Sequence, residues 1–122
     1  EVTAFFSDPE NVGFILVTIP EALGVYQTRR VKRDLEEHGI DVRHLVINHV
    51  VVDPTCDFLR SRREMQQPYI EMLENEYGDE VDMVQVPLMP YEVKGIARLR
   101  EVESRLFAPR GGANPCEAYY RM

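Results

Sequence analysis

The chain has 122 residues, with 14 Lys and Arg against 21 Asp and Glu, so it carries a formal charge of −7; this length suits one domain or part of one. At 44% hydrophobic and 29% charged residues it is too apolar for a disordered chain. Its longest apolar stretches fall far short of the roughly 18 residues of a membrane-spanning helix. The acidic balance also argues against a nucleic-acid partner, because backbone affinity comes from Lys and Arg neutralising phosphates.

The N-terminus has no basic stretch leading into an apolar core, so no secretory signal is read there. Cys56 and Cys116 are accordingly expected as two reduced thiols of a cytoplasmic protein rather than a disulfide. The start at Glu1, running straight into Val2-Thr3-Ala4-Phe5-Phe6, is read as the interior of a longer protein. Residues 1–11 are taken as the end of an upstream element plus the turn Asp8-Pro9-Glu10-Asn11. Val12 to Ile19 follows, apolar and β-branched without alternation, the pattern of a strand covered on both faces of a parallel sheet.

Pro20 ends that strand, and Glu21 to His38 reads as a helix with Leu23, Tyr26, Val31 and Leu35 near helical spacing. Gly39 stands where a helix end favours a left-handed residue. The run Arg29-Arg30-Val31-Lys32-Arg33 precedes Asp34, Glu36 and Glu37, so it is expected as a solvated face with ion pairs within the helix. Val42 to Val52 is the second strand. Asp57 to Tyr77 is a second long helix, its apolar positions Phe58, Met65, Tyr69, Met72 and Leu73. Pro68 inside it predicts a kink or break near Glu64–Gln67, because proline lacks an N–H and its ring clashes with a preceding carbonyl.

Gly78 stops this helix, Val81 to Val86 is the third strand, closed by Pro87, and a last helix carries Ile96, Leu99, Val102 and Leu106. Residues 108–122 show no period and are expected as an irregular tail. The order strand, helix, strand, helix, strand, helix predicts an α/β fold of three βα units in a parallel sheet, with helices on both faces. Residues 12–107 then form one unit.

In open parallel sheets, ligands bind outside the carboxyl ends of the strands. Those ends are Ile19-Pro20-Glu21, Asn48-His49 and the segment from Pro87 to Gly95. A carboxamide offers a donor and an acceptor side by side, which suits a purine edge. The competing reading of Asn48 is a strand-end turn residue bonded to its own surroundings. His49 is read as a strand-end residue, with a place in the site as the alternative, and His38 and His44 as surface residues. No Walker A loop, Gly-x-Ser-x-Gly, His-Glu-x-x-His or Cys-x-x-Cys occurs in the chain, so phosphate gripping and hydrolytic chemistry have no sequence signature here.

At these strand ends the chain also resembles a specific family. Ile19-Pro20-Glu21-Ala22-Leu23, Tyr26-Gln27-Thr28-Arg29-Arg30 and Val46-Ile47-Asn48 are similar to the C-terminal part of the ArsA family of ATPases. Cys56-Asp57, Arg62-Arg63-Glu64-Met65-Gln66, Pro87-Leu88 and Glu92-Val93-Lys94-Gly95 continue the match in order. This family contains arsenite-pump ATPases and the Get ATPases that deliver tail-anchored membrane proteins. The resemblance implies the C-terminal part of a P-loop NTPase fold, with ATP as ligand. Asn48 would contact adenine, and the loop of Pro87, Leu88, Met89, Pro90, Tyr91, Glu92 and Val93 would wrap the base. Glu21 would lie at a homodimer interface near the facing subunit's nucleotide.

The phosphate grip, Mg2+ and the hydrolytic acid are expected upstream of this segment, so the segment alone is expected to be catalytically inactive. Partners implied are a second copy and either a tail-anchored protein or the membrane subunit of an arsenite pump, with no insertion of this chain into the membrane. The Get branch commonly shares a zinc ion through a Cys-x-x-Cys from each subunit. Here Cys56 has Leu59 in place of its companion, so no zinc is expected, since structural zinc takes four ligands. Gln27 and Arg29 stand where acids are common. A stand-alone, non-catalytic nucleotide-sensing or dimerisation module is the alternative.

Overall fold

The computed structural model describes residues 2–107; the expected tail at 108–122, with Cys116, lies outside the described residues. A short helix α1 (Val2–Phe6) leads to β1 (Phe14–Thr18), α2 (Ala22–Glu37), β2 (Val42–Val50), α3 (Asp57–Tyr77), β3 (Asp82–Pro87) and α4 (Ile96–Leu106). The turn after α1 is held by Asp8, whose carboxylate accepts from the Glu10 N–H and from the Asn11 carboxamide. The three strands form one parallel sheet in the order β1-β2-β3, the α/β fold that the alternation of apolar runs and helical spacing implies.

Register fixes two faces. Leu16, Leu45 and Met83 form one cross-strand row and Thr18, Ile47 and Gln85 the next. Onto this face pack Val25 of α2 and Ile70, Leu73 and Tyr77 of α3, joined by Val50 and Val81. Ile47 and Leu73 are fully buried. The rows of the opposite face are Ile15, His44, Asp82 and Val17, Val46, Val84. There Ile15 is 59% and Val17 64% exposed, so the demand for cover on both sides of β1 is met on one side among the described residues. α4 packs along β3.

The helices differ from the sequence reading in which face they bury. In α2 the inward stripe is Val25, Thr28 and Lys32, while Leu23 and Tyr26 are 71% and 75% exposed. Lys32, expected on the solvated face, is 6% exposed. Its Nζ bonds Glu36 and lies 3.5 Å from Glu80 Oε2 and 5.2 Å from the centre of the Tyr77 ring. Desolvation opposes the charge, but the bond and charge of Glu36, with Glu80, outweigh it and hold the ammonium above its ordinary pKa. The rest of the basic run does sit on an exposed face, with Arg30 and Arg33 beside Asp34. Arg29 instead bridges to Glu76 of α3 at 2.7 Å.

Pro68 does not break α3, which stays helical from Asp57 to Tyr77. The proline is exposed, and so is Glu64 one turn earlier, so the carbonyl deprived of its N–H lies on the exposed side of the helix, where solvent satisfies such groups at low cost. Gly39 takes φ +75° after α2, and the Gly39 and Ile40 N–H groups cap the Glu36 and Leu35 carbonyls, a left-handed helix end. In α4, Ile96 and Leu99 are exposed, whereas Val102 and Leu106 are half-buried.

Candidate functional site

Parallel pairing brings the carboxyl ends of all three strands to one edge of the sheet. Thr18 leads through Ile19 and the buried Pro20 into Glu21. Asn48 stands near the end of β2, two residues beyond Val46. Pro87 is the last residue of β3 and pairs with Val50. The Leu88 N–H then donates to the Val50 carbonyl at 2.8 Å, which ties the start of the 87–93 loop to the exit of β2.

Asn48 is half-buried, and no other described residue hydrogen-bonds its carboxamide. The self-satisfied turn reading of this residue therefore has no partner to rest on among the described residues. His49 is exposed and has φ +58°, a left-handed conformation that residues with a Cβ seldom adopt. Glu21 is the N-cap residue of α2, but its side chain makes no capping bond; its carboxylate pairs with Arg62 of α3 at 2.7 Å, both groups more than a third exposed. Such a pair orients the carboxylate more than it stabilises the fold.

Within the loop, Pro87 is buried, Met89 and Tyr91 are half-buried, and Leu88, Pro90, Glu92 and Val93 are exposed. Tyr91 is held from α4: the Arg98 guanidinium lies 3.6 Å from its ring centre. A hydrogen bond to Glu101 raises the Tyr91 pKa, and the same bond lowers that of Glu101. Gly95, at φ +83°, lets the chain turn from the loop into α4.

Sequence reasoning missed Arg62, Arg98 and Glu101, which act across elements, and also Gln66. That last residue shares the buried stripe of α3 with Ile70, Leu73 and Tyr77. Its signal was available, because a glutamine at the head of an i, i+4, i+7, i+11 apolar series is a polar group placed to be buried. Cys56 is exposed at the start of α3, and no three His, Cys, Asp or Glu residues are grouped so that they could hold a metal ion among the described residues. No helix among them is long and apolar enough to cross a membrane.

Comparison with known proteins decides the family. A family profile described as anion-transporting ATPase, the ArsA ATPases, matches residues 1–108. The chain belongs to this family. Among its relatives, the ATPase get3 of Schizosaccharomyces pombe is 36% identical over 111 residues, covering 89% of this chain and 33% of that protein. The ATPase GET3 of Chaetomium globosum is 36% identical over 112 residues, with the same two coverages. The ATPase GET3 of Mycosarcoma maydis is 33% identical over 112 residues, covering 89% of this chain and 34% of that protein. The chain therefore spans about a third of the length of the curated relatives it matches.

Proposed function

We propose that this chain forms the nucleoside side of an ATP site in an ArsA/Get-type ATPase. The phosphate grip and Mg2+ would be supplied by sequence outside it. The observation that carries this reading is Asn48: a carboxamide without a partner among the described residues, at the carboxyl edge of a parallel sheet and next to a loop bonded to its own strand. An amide there accepts from the adenine 6-amino group and donates to a ring nitrogen, a pairing that guanine's carbonyl reverses. Pro87, Leu88, Met89, Pro90, Tyr91, Glu92 and Val93 would enclose the base, with Tyr91 fixed by Arg98 and Glu101. The residues present suit a nucleoside and not a metal ion, so no step is assigned to Mg2+ on this chain.

Glu21, held by Arg62, would face a second subunit across a homodimer. Binding and hydrolysis of ATP in the whole protein would drive cytosolic delivery of tail-anchored membrane proteins. The names of the relatives, ATPase get3 and ATPase GET3, favour this over export of arsenite. The test is Asn48→Ala in the full-length ATPase, read by equilibrium binding of ATP and GTP. Losing one charge-neutral hydrogen-bonding group should weaken ATP binding by roughly tenfold, at about 1.4 kcal/mol per decade, and leave GTP binding nearly unchanged. Equal losses for both nucleotides would remove adenine from the assignment.

A further inference from the structure

The end of β2 is irregular in a way that the adenine reading does not use. From His44 opposite Asp82 to Ile47 opposite Gln85 the two strands advance together; the next pair is Val50 opposite Pro87. β2 spends one more residue than β3 on that step, which makes a bulge, and His49, at φ +58°, sits within it. Bulges re-aim the side chains beside them, and a left-handed residue with a Cβ persists only where its surroundings hold it. What holds it is Gln66, from the opposite layer. Its Nε2 donates to the His49 carbonyl at 2.9 Å, and its Oε1 accepts from the Val51 N–H at 2.8 Å.

Gln66 is 2% exposed, and removing its amide would leave both backbone groups without their side-chain partner. The amide has one workable orientation, because turning it over would face donor to donor and acceptor to acceptor. The clamp therefore spans Val50, whose own carbonyl receives the Leu88 N–H. Asn48 is the residue before the clamped position, and the 87–93 loop starts at the residue bonded inside the clamp. One buried side chain of α3 thus links both halves of the adenine pocket.

We propose that Gln66 is a positioning residue for nucleotide-base recognition: it fixes the β2 bulge and thereby sets the direction of Asn48 and the seat of the 87–93 loop. This rests on the adenine reading of Asn48. It assigns no chemistry to Gln66 itself, which would touch neither base nor phosphate.

The test uses the full-length ATPase with Gln66→Met and Gln66→Glu, beside Asn48→Ala, measuring binding of ATP and GTP and turnover at saturating ATP from pH 5 to 8. Gln66→Met keeps the side-chain length and loses both hydrogen bonds. It should lower ATP affinity by about tenfold and move it toward that for GTP, with turnover at saturation changing far less. Gln66→Glu supplies a variant that restores itself. As a carboxylate it repels the His49 carbonyl; protonated, it donates to that carbonyl and still accepts from Val51. Burial raises the pKa of such an acid. Arg63 and Glu74, the charged groups lining the same hollow of about 230 Å3 beside Gln66, stay unchanged in every arm.

ATP affinity and ATP-over-GTP preference of Gln66→Glu, relative to the parent protein at each pH, should therefore recover as pH falls. A purely structural role in the core would lower stability without this recovery in base preference. If Gln66→Met does not fold, the Gln66→Glu series decides alone. Wild-type affinity and ATP-over-GTP preference in a folded Gln66→Met, or a Gln66→Glu that tracks the parent at every pH, would overturn the proposal while Asn48→Ala still shows its loss. An Asn48→Ala protein with undiminished preference for ATP overturns the adenine reading, and this proposal falls with it.

Discussion

Alanine at position 24 should destabilise the protein, the reverse of its effect at most positions inside a helix. Gly24 lies in the first turn of α2, where alanine has the better propensity by about 1 kcal/mol. A Cβ built there, however, would stand 2.3 Å from the Ile19 carbonyl oxygen, 2.9 Å from Thr18 Oγ1 and 3.3 Å from the Ile19 carbonyl carbon. Two of these three neighbours are backbone, and the next residue is the buried Pro20, so no flexible side-chain end can swing away. Relief needs a shift of roughly 1 Å between α2 and the exit of β1, and overpacking of this kind costs about 1–3 kcal/mol. Against the propensity gain, the net loss is at most about 2 kcal/mol, centred near 1 kcal/mol. Urea titration followed by circular dichroism reads it as a lower midpoint at unchanged slope. Gly13→Ala is the control, since nothing lies within 4 Å of its Cβ; it should shift stability by less than about 0.5 kcal/mol. A Gly24→Ala protein more stable than its parent would refute the close approach of α2 to β1.

Leu73→Ala, at a fully buried position, should cost about 2–5 kcal/mol in the same titration; a loss below 1 kcal/mol would mean that α3 does not seal this face of the sheet. Pro68→Ala should raise stability by roughly 1–3 kcal/mol, because it returns an N–H to an otherwise uninterrupted helix; no gain would show that α3 has already absorbed the proline. Tyr77 carries a pKa pushed up to about 12, first by desolvation and then by the bond and charge of Glu76. Its folded pKa lies above the unfolded value of about 10, so its contribution is complete below that value and is lost as pH rises toward 12. Thermal melts should fall across that window in the parent and less steeply in Tyr77→Phe; parallel slopes would contradict the buried hydroxyl. Arg62→Ala breaks a half-exposed pair with Glu21 and should cost under about 1 kcal/mol in the same urea titration; a larger loss would show that the pair does more than orient the carboxylate.

Much of the fold was legible because the signals are local. Unalternating Val, Ile and Leu runs mark strands of a parallel sheet. Gly39 and Gly78 mark where helices stop, whereas Pro68, read as a kink or break, leaves Asp57 to Tyr77 one helix. The strand-end positions Glu21, Asn48 and Pro87 were legible for the same reason: once strands are parallel, their carboxyl ends must share an edge. Facing was less legible. In α2 the larger apolar residues, Leu23 and Tyr26, point outward, and a lysine is buried because Glu36, Glu80 and the Tyr77 ring receive its charge; no one-dimensional periodicity encodes those partners.

The sequence by itself determined the α/β class, the composition of the three βα units and the family, because hydrophobic pattern, turn residues and ordered motifs are properties of the chain. Its 122 residues and −7 charge bounded the class of protein. Only the tertiary structure decided that Gln66 reaches across a layer to clamp His49, that Arg62 holds Glu21, and that Arg98 and Glu101 hold Tyr91. The physical reason is range. Backbone propensity and apolar spacing act within a few residues, whereas a buried amide finds its partners only when two elements far apart in sequence have packed. The open face of β1 belongs to the same category: Ile15 and Val17 state in sequence that they want cover, and the packed chain shows which side of the strand receives it.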